Sequence, residues 1–79
     1  MTNLDKTIAE IIELKPSMVY KIRKGHRYPS FNSMLRIEKE LHWNVQEQTE
    51  ARRLGDYHEK FEDAANGRVE SEQQEPKSN

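Results

Sequence analysis

The sequence contains no cysteine, and this absence excludes both a disulfide framework and a cysteine-based zinc site. It also lacks long hydrophobic runs, because its longest aliphatic stretches are pairs of residues, so no transmembrane helix is predicted. The three histidines are too scattered to predict a metal site. The opening residues, MTNLDKTIAE, lack the basic and apolar segments of a secretion signal. We therefore expect a cytoplasmic protein with no membrane association and no metal or other cofactor.

Charge is distributed unevenly along the chain, although the formal net charge is only −1. Residues 1–43 carry +3, and residues 44–79 carry −4. Residues 15–27 contain five basic side chains and no acidic one. Binding to phosphate groups requires such a local basic cluster, but an ordinary solvated surface gives the same pattern. Charge alone therefore leaves both interpretations open.

The first 43 residues contain the pattern of three short helices. An apolar side at helical spacing follows Thr2 or Asn3, either of which is a suitable N-cap, and residues 13–15 form the exit of this first helix. Pro16 suits the first turn of a second helix, and Gly25 offers a left-handed stop. Ser30 is the predicted N-cap of a third helix. The predicted buried stripe of this helix comprises Phe31, Met34, Leu35, Ile37 and Leu41, with Trp43 closing the core.

A fourth, longer helix is predicted to begin after Asn44, which forms a capping-box pattern with Glu47. Its apolar residues recur at spacings near three and four, and Asn66-Gly67 supplies a stop. Residues 68–79 contain one aliphatic residue in twelve, which predicts a disordered tail. The expected fold class is all-α, with about four helices divided into a core of residues 1–43, a long C-terminal helix in residues 44–67 and a tail in residues 68–79.

The stretch IAEIIELKPSMVYKIRKGHRYPSFNSMLRIEKEL, residues 8–41, resembles the lambda-repressor-like helix-turn-helix family of phage and bacterial regulators, which includes the Cro proteins. The residues that carry the resemblance are Ile8, Ala9, Leu14, Val19, Ile22, Gly25, the loop 27–30, Met34, Leu35 and Leu41. It implies that residues 16–24 form a recognition helix that enters the major groove of double-stranded DNA. The helical period agrees, because inward-facing Val19 and Ile22 leave positions 17, 20, 21 and 24 facing solvent.

The resemblance also implies which side chains contact DNA. Ser17, Tyr20 and Lys21 would face base edges, with Pro16 beside them as a residue without a backbone donor. The implied phosphate contacts are Lys15, Lys24, His26, Arg27 and Ser30. Alternatively, Tyr20 is a half-buried packing residue and the lysines are ordinary solvated side chains.

The sequence departs from the family pattern at several positions. Glu13 occupies the turn position where the family usually has glycine, and a non-glycine residue in a left-handed conformation there would cost about 1 kcal/mol. Arg23 replaces a common acid, and Glu38 replaces a small apolar residue. The family's first helix has no counterpart, because only seven residues precede Ile8. Another element must cover that surface, or the surface must be polar; the C-terminal helix is the candidate for covering it.

No nucleophile–base pair or paired carboxylates are found in the sequence, so we do not expect an enzyme. The leading hypothesis is a transcriptional regulator, a Cro-like phage or mobile-element repressor that binds a palindromic operator as a homodimer with half-sites about 34 Å apart. The predicted dimer seam comprises Leu54, Tyr57, Phe61 and Ala64, although the same stripe could pack within the chain. The alternative hypothesis is an antitoxin-like or anti-regulator protein whose acidic C-terminal segment binds a protein partner.

Overall fold

A computed structural model describes residues 2–73 of the chain, and five α-helices account for most of this range. In chain order the helices are α1 Asn3–Ile12, α2 Pro16–Arg23, α3 Phe31–Leu41, α4 Val45–Leu54 and α5 Tyr57–Gln73. The described residues include no strand, which confirms the all-α class. None of these helices has the length and apolar character needed to cross a membrane.

The predicted helix boundaries in the first half of the chain are confirmed by their caps. Thr2 forms a capping box with Asp5, whose backbone N–H donates to the Thr2 hydroxyl at 3.3 Å. Ser30 accepts from the Ser33 N–H, and Asn44 accepts from the Glu47 N–H at 2.7 Å. These bonds satisfy backbone donors that have no partner inside a helix.

The predicted fourth helix is in fact two helices. Gly55 has a φ of 83° and ends α4, and α5 begins two residues later. The stop predicted at Asn66-Gly67 is wrong, since α5 continues through both residues to Gln73. Beyond Gly67, the Arg68 side chain donates to the Glu40 carbonyl at 3.4 Å and Val69 packs against the core, so the helix retains tertiary contacts. Residues 68–73 are thus helical, and the remainder of the predicted tail, residues 74–79, lies outside the described residues.

Helix α5 packs against all four other helices. Tyr57, Phe61 and Ala65 are fully buried in the core of a single chain. Tyr57 and Phe61 therefore cannot form the predicted dimer seam, because exposing them to a partner would open that core. Ala64 is half-buried against the same core, and Leu54 is 59% exposed. Intramolecular packing of this stripe is the alternative that the structure supports.

The buried side of α3 is narrower than the sequence predicted. Met34, Ile37 and Leu41 are buried and Trp43 packs beside them, as expected. Phe31 is 62% exposed and Leu35 is 43% exposed, so their predicted burial is wrong. The helical period accounts for the difference, because positions 34, 37 and 41 share one arc of the helix, whereas positions 31 and 35 lie on an adjacent arc.

A buried ion pair joins α1 to the end of α2. Arg23 donates through Nε to Asp5 Oδ1 at 2.9 Å and through Nη2 to Asp5 Oδ2 at 3.2 Å. The same guanidinium reaches Glu62 on α5 at 3.4 Å. Burial alone would raise the pKa of Asp5, but hydrogen bonds from Arg23 and from the Thr2 backbone outweigh burial and hold that pKa below its ordinary value. The pair therefore holds α1, α2 and α5 together, and Asp5 remains ionised.

A second polar cluster lies beneath Trp43 at the junction of α3, α4 and α5. The buried Gln48 amide donates to the Met34 carbonyl at 2.9 Å and to the Trp43 carbonyl at 2.7 Å. Its oxygen accepts from the Tyr57 hydroxyl at 2.8 Å. Burial raises the pKa of Tyr57, so the phenol stays protonated and donates this bond. The centroid of the Tyr57 ring also lies 4.7 Å from the centroid of the Trp43 ring.

Replacing Asp5 tests the ion pair. Asp5→Asn removes the charge that offsets the buried Arg23, and we expect a loss of about 3–5 kcal/mol in the free energy of unfolding at pH 7, measured by urea titration with circular dichroism. The folded-state pKa of Asp5 is depressed, so its contribution is present above the unfolded value of about 3.9 and is lost as the pH falls through the folded-state pKa. The difference between wild type and variant should therefore shrink in acid. Asp63→Asn, an exposed acid on α5, is the control and should have little effect.

Replacing Gln48 tests the second cluster. Gln48→Leu would leave the Tyr57 hydroxyl and the Trp43 carbonyl buried without a partner, and we expect a loss of at least about 2 kcal/mol in the free energy of unfolding. Gln46→Leu, the same change at an exposed position of α4, should be close to neutral. A Gln48→Leu chain as stable as wild type would show that these three hydrogen bonds contribute nothing net.

Candidate nucleic-acid interface

The turn between α1 and α2 contains a strained residue. Glu13 has a φ of 61° and a ψ of 45°, the left-handed conformation that favours glycine. The next backbone N–H, from Leu14, donates to the Ala9 carbonyl at 2.9 Å and so closes the end of α1. The sequence left open whether the turn would differ from the family pattern or retain this strain. The strain is retained.

Helix α2 exposes one side of its surface. Val19 and Ile22 are fully buried, as predicted, and the Arg23 guanidinium is held against α1. On the opposite arc, Ser17, Lys21 and Lys24 are exposed. Pro16 and Tyr20 are half-buried at the edges of this arc.

A shallow depression of about 380 Å³ lies at the start of α2. We call it the α2 depression; its lining residues are Glu13, Leu14, Lys15, Ser17, Met18, Lys21 and Arg27. It brings together four of the nine predicted contact residues, namely Lys15, Ser17, Lys21 and Arg27. Three of these four are cations, so the depression has the charge that attracts phosphate groups.

Tyr20 and Lys24 lie outside the α2 depression and interact with each other. The Lys24 ammonium is 5.8 Å from the centroid of the Tyr20 ring, and the Arg23 guanidinium is 5.9 Å from it. Tyr20 thus matches the alternative of a half-buried packing aromatic, although part of its surface remains accessible.

The loop after α2 has a defined backbone. Gly25 has a φ of 84°, its N–H donates to the Ile22 carbonyl, and the His26 N–H donates to the Lys21 carbonyl at 2.8 Å, which together form a Schellman motif. The His26 side chain is exposed. Ser30 is also exposed, but its hydroxyl caps α3 and donates to the Ser33 hydroxyl at 3.2 Å. Ser30, one of the predicted phosphate contacts, therefore also stabilises the start of α3.

Sequence reasoning missed two residues at this surface. Glu13 was noted for its backbone conformation, but it also lines the α2 depression. Arg36 on α3 donates through Nη1 to the Glu13 carbonyl at 3.3 Å, and its Nη2 lies 3.9 Å from the Glu13 carboxylate. A contact between residues 23 positions apart has no local sequence signal, so Arg36 could not have been found from spacing. Within the described range, no group of three or more histidines and acids is placed to hold a metal ion.

The strain at Glu13 can be measured directly. Glu13→Gly removes the steric cost of a left-handed side chain, about 1–2 kcal/mol, and part of this gain is offset because glycine is more flexible in the unfolded chain. We expect a net stabilisation of up to about 1 kcal/mol, seen as a higher midpoint of thermal unfolding. Glu10→Gly, in the interior of α1, should instead destabilise the chain by about 1 kcal/mol. A lower midpoint for Glu13→Gly would mean that the side chain stabilises the turn by more than its strain.

No family model, curated protein or solved structure matches the chain. The resemblance of residues 8–41 to the lambda-repressor-like family accordingly stays a prediction drawn from the motif.

Proposed function

We propose that the chain is a cytoplasmic transcriptional regulator that binds double-stranded DNA as a homodimer, with α2 in the major groove. The observation that carries this proposal is the arrangement of α2: Val19 and Ile22 are fully buried, while Ser17, Lys21 and Lys24 are exposed beside Lys15 and Arg27. A helix with its side chains is roughly 10–12 Å wide, and the major groove is about 12 Å wide, so an exposed helix of this kind fits it.

The charge around α2 supports the same proposal. No acidic residue occurs between Glu13 and Glu38, a segment that includes six basic residues. Arg23 is paired with Asp5 and Glu62, and Arg36 contacts the turn. The other four, Lys15, Lys21, Lys24 and Arg27, are exposed and can neutralise phosphates.

The alternative, an acidic C-terminal segment that folds on a protein partner, is less well supported. Exposed acids on α5 include Glu59, Asp63 and Glu70, which suit a basic partner. However, Tyr57 and Phe61 of the same helix are core residues of the free chain, so α5 does not need a partner in order to bury an apolar side. The partner-binding hypothesis becomes the leading one only if the chain fails to bind DNA.

Substitutions distinguish phosphate contacts from base contacts. Lys24→Ala and Arg27→Ala should weaken binding to a selected site and to random duplex about equally, each lowering the slope of log affinity against log salt by roughly one. Ser17→Ala, Tyr20→Ala and Lys21→Ala should cost about 1–3 kcal/mol on the selected site and much less on random duplex. Lys21 can show both effects because its charge also contributes to the slope. The measurement is fluorescence anisotropy at several salt concentrations, on a site selected from random duplex DNA.

The control for these variants is Lys60→Ala, which lies in a separate groove with Trp43 and Leu54 and should bind as wild type does. If all five variants in α2 and the following loop change the affinity for the selected site and for random duplex by the same factor, Ser17, Tyr20 and Lys21 do not contact bases. If none changes affinity at low salt, the proposal of DNA binding fails. Two half-sites in the selected sequence, about 34 Å apart, are the expected mark of a dimer.

A further inference from the structure

Glu13 is the one acidic residue among the side chains that line the α2 depression, and we infer that it determines specificity at the edge of the DNA site by accepting a hydrogen bond from cytosine N4. This inference rests on the proposed function. It concerns the side chain of Glu13, whereas the strain at this position concerns its backbone.

The Glu13 side chain is placed where DNA would lie in the proposed complex. It is 74% exposed, and it lines the same depression as Lys15, Ser17, Lys21 and Arg27. Only two residues separate it from the first residue of α2. In the proposed complex, this carboxylate therefore lies beside the duplex that these cations bind.

The carboxylate forms an exposed ion pair with Arg36 but no hydrogen bond to it. Arg36 forms its hydrogen bond with the Glu13 backbone carbonyl, at 3.3 Å, and its distance of 3.9 Å to the carboxylate is longer than a hydrogen bond. Both carboxylate oxygens therefore retain acceptor capacity. Glycine could make the same turn with less strain, so the backbone gives no reason for an acidic side chain here.

The chemistry of the major groove then selects the base. A carboxylate only accepts hydrogen bonds, and in the major groove cytosine presents the N4 amino donor without a neighbouring acceptor on the same base. Guanine presents two acceptors, and thymine presents an acceptor and a methyl group, so both are rejected. Adenine presents an amino donor next to the N7 acceptor and is disfavoured. Glu13 also repels phosphates, which weakens binding to every duplex. Only a duplex with cytosine at the matching position recovers affinity through the hydrogen bond to Glu13.

The test compares base preferences after selection from random duplex DNA. For wild type we expect a cytosine at one position near the edge of the half-site. Glu13→Ala should reduce the preference for cytosine over the other bases at that position by roughly 5- to 150-fold, which corresponds to the loss of one good side-chain-to-base contact. Glu13→Gln should shift it toward adenine, because glutamine pairs with adenine N6 and N7. Glu10→Gln, an exposed acid on α1 outside the α2 depression, is the matched control and should leave every position unchanged.

The outcomes separate this inference from the proposed function. If Glu13→Ala and Glu13→Gln raise affinity for selected and random DNA by the same factor and leave base preferences unchanged, Glu13 only repels phosphate and the inference is overturned, while DNA binding stands. If wild type binds no duplex, both fail. Circular dichroism checks the fold of each variant, and Glu13→Gly, which removes the carboxylate and also the strain, must flatten the same position.

Discussion

A buried charge in a small protein needs a partner, and the pair formed by Asp5 and Arg23 determines how the first two helices sit on each other. Arg23 lies at the end of α2, and its bond to Asp5, together with the burial of Val19 and Ile22, holds α2 against α1 in one orientation. Ser17 and Lys21 consequently face outward while Val19 and Ile22 face inward. The ion pair thus contributes to the orientation in which α2 presents the candidate DNA surface, although both of its members are buried.

Local chemistry made most of the helix boundaries predictable from the sequence. Thr2, Ser30 and Asn44 are caps because a short polar side chain can bond the nearby backbone, and Gly25 is a stop because it tolerates a positive φ. The same reasoning failed in the C-terminal half, where Gly55 breaks the helix and Gly67 does not. The apolar spacing runs across Gly55 without interruption, and whether a glycine adopts a left-handed conformation depends on the packing around it.

The candidate site was predictable only in part, because contacts between residues far apart in the sequence leave no local pattern. The period of α2 correctly placed Val19 and Ile22 in the core, because that placement depends on residues within one helix. It also predicted an exposed Tyr20, which is instead half-buried. Asp5, Arg36 and Gln48 were missed, since their partners lie 18, 23 and up to 14 positions away. One signal was available: Gln48 interrupts the apolar spacing of Val45 and Ala51, and a polar residue at such a position predicts a buried hydrogen-bond network.

Because α5 contributes Tyr57, Phe61 and Ala65 to the core, the packing of α1 and α2 depends on a part of the chain that is synthesised after them. Synthesis proceeds from the N-terminus at roughly 5–20 residues per second. For the seconds between the emergence of α2 and that of α5, the nascent chain contains the residues of the candidate DNA surface but lacks the α5 residues that complete the core. The candidate DNA surface therefore reaches its complete packing only after α5 has been synthesised, and a chain truncated before α5 would contain the residues of that surface without the complete core that supports them.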